Sequence, residues 1–400
     1  MSEEATRTRV ANQRAVTDAK IEEAALRLLA TVGTDGLTLP AIAKESGMTT
    51  GPVYARYGGV DDVLVVLWDL YLHEELVRIL TLQITWVNSD QPLPDSLRQL
   101  LEAPGTKANA VVELMATMRR YPFAHSTIQP QIDQIFTNIA LAHADIPRAV
   151  VHMQLGFVLG AIFAKPIFAS SFATSLAESA HHLQLLSRRR EGWDATSEFN
   201  DVTPVAIPAR ADVGPVRQAF LNGALETIAI TGVEGASAQR IARAAGYGFS
   251  TAYSYFKSKE ELAEEAIQMV MTQLFTLDRD SDLIHDHDGY IRRITAFVRG
   301  GLSEEGRLVR QLRVECVVAA RHSARIRQFA QGRFNEVLVH ALHRNSGRHD
   351  GEFSMVATWA VVATHNFAFP LVAGCTRYLD GIDWTPMAEQ LYLVRNNFKA

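Results

Sequence analysis

Two short segments of this chain place hydroxyl groups and a tyrosine behind a glycine, a combination suited to binding phosphate oxygens. Residues 47–63 read GMTTGPVYARYGGVDDV, and residues 246–262, which begin 199 positions later, read GYGFSTAYSYFKSKEEL. Hydroxyls bind phosphates or base edges, threonine methyls can contact the thymine methyl group, and lysines bind phosphate. With flanking residues, the candidate contacts are Thr38, Thr49, Thr50, Tyr54 and Arg56 in the first half, and Ser237, Phe249, Ser250, Thr251, Tyr253, Lys257 and Lys259 in the second.

The two segments belong to a longer internal repeat, which must be recognised before any fold is assigned. Near the C-terminal ends, AKPI at 164–167 matches AFPL at 368–371 at a shift of 204. We therefore divide the chain into homologous halves, about 1–190 and 210–400. Without gaps, a shift of 199 aligns identical residues at Ala25/Ala224, Leu26/Leu225, Ala30/Ala229, Gly33/Gly232, Gly36/Gly235, Ile42/Ile241, Ala43/Ala242, Gly47/Gly246 and Tyr54/Tyr253.

Within each half the apolar residues follow helical spacing, which predicts an all-α protein. In the first copy a stripe begins at Ile21, Gly33 interrupts it, and Thr38 is suited to cap a short second helix. Gly47 is suited to end that helix, and Thr49 to cap a third. A helix, a glycine turn and a short helix form the helix-turn-helix plan, although helical hairpins without DNA contacts share it. In that alternative, Tyr54 and its counterpart Tyr253 would be half-buried core residues.

Composition limits the classes of function. The chain has 400 residues, 48% of them hydrophobic, and a net charge of −5. This charge argues against a protein that binds nucleic acid over its whole surface, but it permits a small basic patch on one face. The N-terminal MSEEATRTRVANQR lacks a signal-peptide core and no apolar run is long enough for a membrane span, so a cytoplasmic protein is expected. Two cysteines exclude a disulfide framework.

The motifs of each half resemble those of the tetracycline-repressor (TetR) family of bacterial transcription regulators. The second copy carries AALETIAITGVEGASAQRIARAAG and STAYSYFKSKEEL, close to the family signature throughout. The first carries AALRLLATVGTDGLTLPAIAKESG and then departs, because Gly59 and Val60 replace the serine and lysine of SKEEL. In the family that tyrosine and lysine typically contact phosphates. The resemblance assigns this role to Tyr54, Tyr253 and Lys259 and leaves the first copy without the lysine.

The resemblance implies two tandem halves, each a three-helix DNA-binding domain followed by a helical ligand-binding and pairing domain. The last two helices of each half, about 150–174 with 176–187 and 353–378 with 387–398, would form a four-helix bundle and pair the halves as an intramolecular pseudo-dimer. Small residues such as Gly156, Gly160, Ala357 and Ala360 would allow close approach. The alternative is a separate core within each half. The expected domains are 1–62, 63–190, a linker at 191–212, 213–261 and 262–400.

The function expected from these features is ligand-responsive transcriptional regulation, with repression relieved by the ligand. Two unlike DNA-binding domains fused in one chain predict an operator whose half-sites differ. One alternative is a ligand-binding or protein-interaction module whose DNA binding has decayed. Another alternative is a chain with one active DNA-binding domain, in which two chains pair into a homodimer. No catalytic signature appears, so no enzyme, cofactor or membrane partner is expected.

A small-molecule effector is implied by the resemblance, but its identity is not. Such pockets are mostly apolar with a few polar anchors. The segment from His285 to Asp288 contains two histidines and two aspartates, and we interpret it as a polar loop rather than a metal site. The pocket candidates are Trp68, Met115, Met118, Tyr121 and Phe157 in the first half, and Phe297, Arg313, Trp359, His365 and Phe369 in the second.

Overall fold

A computed structural model gives the fold, and its described residues are helices and their connections, without a β-strand among them. This confirms the all-α prediction. The described ranges are 3–168, 176–203, 207, 210, 212–274, 286–345 and 355–396. Within them the side chains of residues 3–13, 273–274, 340–345, 355–359 and 394–396 are not described.

The first half contains ten α-helices in its described residues. A π-turn at Trp68–Leu72 joins α4 to α5, and a 3-10 turn at Met118–Arg120 follows α7. The helices are α1 Glu3–Gly36, α2 Leu39–Glu45, α3 Thr50–Tyr54, α4 Val60–Leu67, α5 His73–Val87, α6 Asp95–Glu102, α7 Thr106–Thr117, α8 Pro122–Ala142, α9 Arg148–Ala164 and α10 Leu176–Arg189.

The second half repeats this order from α11 onward. The described residues of the predicted linker contain no helix. The helices are α11 Pro215–Gly235, α12 Ala238–Ala245, α13 Phe249–Ala252, α14 Lys259–Leu274, α15 His287–Leu302, α16 Arg307–His322, α17 Ala324–Asn345, α18 Met355–Cys375 and α19 Thr385–Asn396.

The glycines that interrupt the first helix of each half do so by their backbone conformation. Gly33 has φ +71° and Gly232 has φ +73°, in the left-handed region that favours glycine. Each helix therefore bends shortly before its end. The apolar stripe ahead of the bend is buried, as the spacing predicts, with Ile21 and Leu29 fully covered.

The two halves pack on each other through α9, α10, α18 and α19. Helix α9 of the first half contacts both α18 and α19 of the second, and α10 also packs on α18. Helix α9 is buried on almost every side, which fits a helix that is apolar all round. At Gly156 an added Cβ would lie 3.3 Å from Cβ of Ala368, and at Gly160 it would lie 2.7 Å from the carbonyl carbon of Thr364. The predicted half-to-half packing is confirmed, and the alternative of separate cores is wrong.

Two histidines lie in this packing without hydrogen-bond partners among the described residues. Both ring nitrogens of His152 and Nδ1 of His365 are unpartnered, and the two ring centroids are 5.3 Å apart. The ring of His152 also packs against Phe369 and Trp384. Burial lowers the pKa of His365 to about 4, and burial likewise lowers the pKa of His152 well below its usual value. Both imidazoles are therefore neutral in the folded protein at neutral pH.

This arrangement predicts a loss of stability in mild acid. In the unfolded chain each histidine takes up a proton near pH 6.5, whereas folded His365 resists protonation until about pH 4. Stability is therefore full above pH 6.5 and falls as the pH decreases towards 4. For His365 the loss is on the order of 3 kcal/mol. Urea unfolding of the native protein and of His365→Phe between pH 7.5 and 4.5 measures the difference.

The variant should lose less stability over that interval than the native protein. His143→Asn, which changes a histidine outside this packing, is the matched control and should follow the native curve. Equal pH dependence of His365→Phe and the native protein would show that His365 is not responsible.

Candidate nucleic-acid interface

Each half begins with a compact three-helix unit. Helices α1–α3 form the first head and α11–α13 form the second head. In the first head the N–H of Met48 donates to the carbonyl of Ala43 at 2.8 Å, and in the second that of Tyr247 donates to Ala242 at 3.0 Å. The glycine inside each turn, Gly47 or Gly246, has positive φ. The second helix of each head therefore ends in the same way, as predicted.

The third helix of each head is held by one buried residue and exposes its other side chains. Val53 anchors α3 and Ala252 anchors α13. Tyr54 is 57% exposed and Tyr253 is 50% exposed, so the interpretation of these tyrosines as core residues is wrong. The remaining candidates on these two helices are Thr49, Thr50, Phe249 and Ser250, which are exposed, and Thr251, which is half-buried.

Two of the predicted contact residues serve as helix caps. The hydroxyl of Thr38 accepts from the N–H of Ala41 at 3.2 Å, and that of Ser237 accepts from Arg240 at 3.3 Å. Both fill the N-cap role expected from sequence. Thr49 occupies the N-cap position of α3, but its hydroxyl makes no capping bond there. That hydroxyl is consequently not used by the helix it precedes.

The predicted cationic contacts Arg56, Lys257 and Lys259 differ in how many hydrogen bonds and ion pairs they make within the protein. Arg56 pairs with Asp18 on α1 and donates to the carbonyl of Pro52 at 2.7 Å, so it braces the first head, which differs from its predicted role. Lys259 donates to the carbonyl of Glu234 at 3.2 Å. Lys257 is exposed at the edge of the second head.

The second head exposes more aromatic surface than the first. Phe249 and Tyr253 stack edge to face with centroids 5.1 Å apart. Tyr247 and Tyr255 are also exposed, and sequence reasoning did not select them. Their position within GYGFSTAYSYF, between the predicted contacts, was the signal that could have identified them. The two faces therefore differ in chemistry, because the first carries mainly threonine hydroxyls and the second carries a cluster of rings.

The helix that follows each head is capped differently in the two halves. In the second half the hydroxyl of Ser258 accepts from Glu261 at 3.2 Å. In the first half Gly59 occupies the equivalent position without a side chain, while Asp62 accepts from the N–H of Gly58 at 2.7 Å. The substitution noticed in the sequence therefore removes one capping bond as well as the cation of Lys259.

Hydrogen bonds connect the first head to the rest of its half. Asp61 on α4 accepts from the N–H of Ala124, at the start of α8, at 2.9 Å. Tyr121 donates to the carbonyl of Thr34, in the turn after the bend of α1, at 3.3 Å. These two bonds attach the N-terminal end of α8 to the first head and to the helix that follows it.

A cavity of about 430 Å³ opens between α5 and α8. Its wall is largely apolar and contains no Asp, Glu, Lys or Arg. None of the pocket residues predicted from sequence lines it. The lining residues are His73, Val77, Thr81, Ile84, Gln131, Gln134, Ile135, Asn138, Ile139, Ala142 and His143.

Most of the predicted pocket residues lie in the protein core instead. Trp68 is buried and its indole donates to Gln131 at 3.0 Å, behind the cavity wall. Arg313 donates to the carbonyl of Asn366 at 2.9 Å and lies over the ring of Phe297. The side chain of Trp359 lies outside the described residues. The others are the buried Met115, Met118, Phe157, His365 and Phe369, and the half-buried Tyr121.

The described part of the His285–Asp288 segment makes ordinary structural contacts. Asp286 caps α15 by accepting from Gly289 at 2.6 Å. His287 bonds to Asp288 and to Glu389, and these hydrogen bonds raise its pKa. His285 lies outside the described residues, and no cluster of three metal-ligating side chains occurs among those that are described.

Comparison with known proteins identifies the two heads. Residues 21–66 and again 220–266 match the family model for bacterial regulatory proteins of the tetR family. The chain therefore carries two tandem TetR-like units, and the matches support a DNA-binding transcription regulator. A comparison with curated proteins gives no match. No helix in the described ranges is both long and apolar enough to cross a membrane.

Proposed function

From the two tandem TetR-like units we propose that this chain is a single-chain transcriptional regulator, with two heads that bind one DNA duplex at unlike half-sites. The observation that carries the proposal is the pair of helix-turn-helix units with the same backbone turn but different exposed side chains. Helix N-terminal residues of such units contact base edges in the major groove. Since both heads belong to one chain, binding of the first raises the effective concentration of the second.

Selection of bound duplexes from a random pool tests this proposal. The expected product is a site with two different half-sites, in which affinity falls steeply as salt rises because phosphate contacts release counterions. A palindromic product would contradict the unlike-head proposal. No enrichment at low salt would contradict DNA binding altogether.

For the effector, the cavity between α5 and α8 favours an uncharged, mainly apolar molecule. Its wall supplies amide and imidazole groups for hydrogen bonds but no ion-pairing partner. Residues of the C-terminal half of α8 line the cavity, and Ala124 at the other end of the same helix bonds to Asp61 in α4, so α8 connects the cavity to the helix that follows the first head. The ligand can shift the head positions only by its difference in affinity for the two states. We propose repression with relief by ligand on this basis.

Filling the cavity should abolish ligand binding while leaving DNA binding intact. Val77→Phe places an aromatic ring in the cavity from α5, and no residue of either head lines that cavity. We expect the affinity for Nile red, an uncharged apolar probe, to fall about tenfold or more. Fluorescence titration measures this. Val202→Phe adds the same ring at an exposed position and should bind the probe like the native protein; equal loss in both variants would contradict the assignment of the cavity.

The second candidate function is a regulator with only one competent head, and the first head motivates it. Directly after it, Gly59 and Val60 stand at the positions where Ser258 and Lys259 follow the second head. If the first head docks like the second, Val60→Lys should add a phosphate contact. We expect tighter binding and a salt slope steeper by about 1, measured by fluorescence anisotropy.

The matched control for this variant is Val202→Lys, which adds the same charge to the exposed linker. An identical response of the two variants would indicate a general charge effect. No response in either variant would favour a first head that no longer binds DNA.

A further inference from the structure

Two buried carboxylates join the halves by reaching across their boundary. Glu113 on α7 accepts from Arg321 at 3.2 Å and bonds to His322 at 3.1 Å, both at the end of α16 in the second half. Glu315 on α16 pairs in turn with Arg119 and Arg120, which follow α7 in the first half. We call these six residues the crossed carboxylate junction: Glu113, Arg119, Arg120, Glu315, Arg321 and His322.

The junction has the symmetry of a dimer interface, although it lies within one chain. A shift of 202 relates Glu113 to Glu315 and Arg119 to Arg321, and it places His322 opposite Arg120. In a two-fold interface, residue i of one subunit contacts residue j of the other and the reverse contact also occurs. The hydrogen-bonding partners of each carboxylate come from the other half.

Burial makes these pairs sensitive to the relative position of the halves. The side chains of Glu113 and Glu315 are both 1% exposed, and that of Arg120 is 5% exposed. Burial alone would raise the pKa of Glu113, but His322 and Arg321 hold it below the usual value. Removing one partner of a buried pair leaves an uncompensated charge, so small displacements are costly.

Both heads rest directly on this junction. Arg120 bonds to Asp35 of the first head at 3.1 Å, and Arg119 donates to the carbonyl of Ala229, in the second head, at 3.1 Å. At the bend of α1, a Cβ on Gly33 would come within 2.5 Å of the Glu113 carboxylate. At the bend of α11, a Cβ on Gly232 would come equally close to the Arg120 guanidinium. The missing side chains let each bent helix contact the junction.

We propose that the crossed carboxylate junction fixes the separation of the two heads and thereby sets the spacing of the half-sites that the chain accepts. This inference rests on the proposed DNA-binding function. Glu315 and Arg120 are positioning residues in it, since they act through the heads and do not themselves contact DNA. Each added base pair rotates one half-site by about 35° relative to the other, so a fixed head separation accepts few spacings.

The first test measures the heads without DNA. Spin labels on cysteines introduced by Thr50→Cys and Ser250→Cys report the distance between the heads. The native Cys316 and Cys375 are buried, and burial raises the pKa of both thiols, which protects them from labelling. We expect one narrow distance distribution, and a broadened or shifted one after Glu315→Gln. An unchanged distribution would overturn the inference.

The second test varies the spacing between the selected half-sites by one to three base pairs in each direction. The native protein should lose about tenfold or more in affinity away from its preferred spacing, whereas Glu315→Gln should bind all spacings within about threefold. Identical profiles would overturn the inference. Failure of the native protein to bind any duplex would overturn the proposed function instead, while the distance measurement would still judge the junction.

Two further variants separate positioning from a general loss of stability. Glu75→Gln removes another buried carboxylate, whose partner Arg78 lies on the same helix, and it should leave the spacing profile unchanged. Arg120→Lys keeps the positive charge but loses the forked geometry that reaches Glu315 and Asp35 together. It should relax the spacing profile even if Glu315→Gln does not fold. A native profile for Arg120→Lys, or a relaxed one for Glu75→Gln, would contradict the assignment.

Discussion

Replacing Gly160 by alanine should separate the packed halves and strongly destabilise the protein. A Cβ at this position would lie 2.7 Å from the carbonyl carbon of Thr364 on α18 and closer still to its oxygen. Both atoms belong to helix backbone, so no flexible side chain can yield. Overpacking of this kind costs about 1–3 kcal/mol and occasionally more. Urea unfolding gives the loss, and small-angle scattering detects expansion.

Gly374→Ala is the matched control, because it makes the same substitution in α18 with no atom within 4 Å of the added Cβ. It should unfold at the native urea concentration or slightly above it, since alanine favours helix over glycine. If Gly160→Ala and Gly374→Ala unfold at the same urea concentration, close contact between α9 and α18 does not hold the two halves together.

Removing the exposed face of the second head should lower affinity for the full operator by about 100-fold or more. The double variant Tyr253→Ala and Lys257→Ala deletes an exposed ring and an exposed cation while sparing the buried anchor Ala252. The loss is large because a chain that binds through one head forfeits the intramolecular advantage of the second. Anisotropy titration with duplexes that carry both half-sites or only one measures it.

The specific expectation is that this double variant binds the full operator no better than a duplex with only the first half-site. Tyr54→Ala with Thr50→Ala is the corresponding change in the first head and should show the reverse dependence. Tyr392→Phe, which removes a hydroxyl on α19 beside the ring of His287, should leave both affinities unchanged. Native affinity in the second-head variant would contradict DNA reading by that head.

The sequence by itself determined the repeat, the two heads and the residues at which their short helices begin and end. Thr38 and Ser237 cap helices, and Gly47 and Gly246 adopt positive φ, as their spacing predicts. These features depend on hydrogen bonds and backbone sterics between residues only a few positions apart, so their signal lies in a short window. Gly160 was also identified, because a small residue in a wholly apolar helix indicates close packing.

Tertiary structure alone decided which polar residues became partners and where the cavity lies. Glu113 and Arg321 are 208 positions apart, and in the sequence each resembles any solvated charge on a helix. Arg56 was predicted to contact DNA, but folding places Asp18 beside it. The cavity similarly depends on how α5 and α8 diverge, not on the composition of either. Such pairings arise from the packing of distant helices, and no local pattern of residue types encodes that geometry.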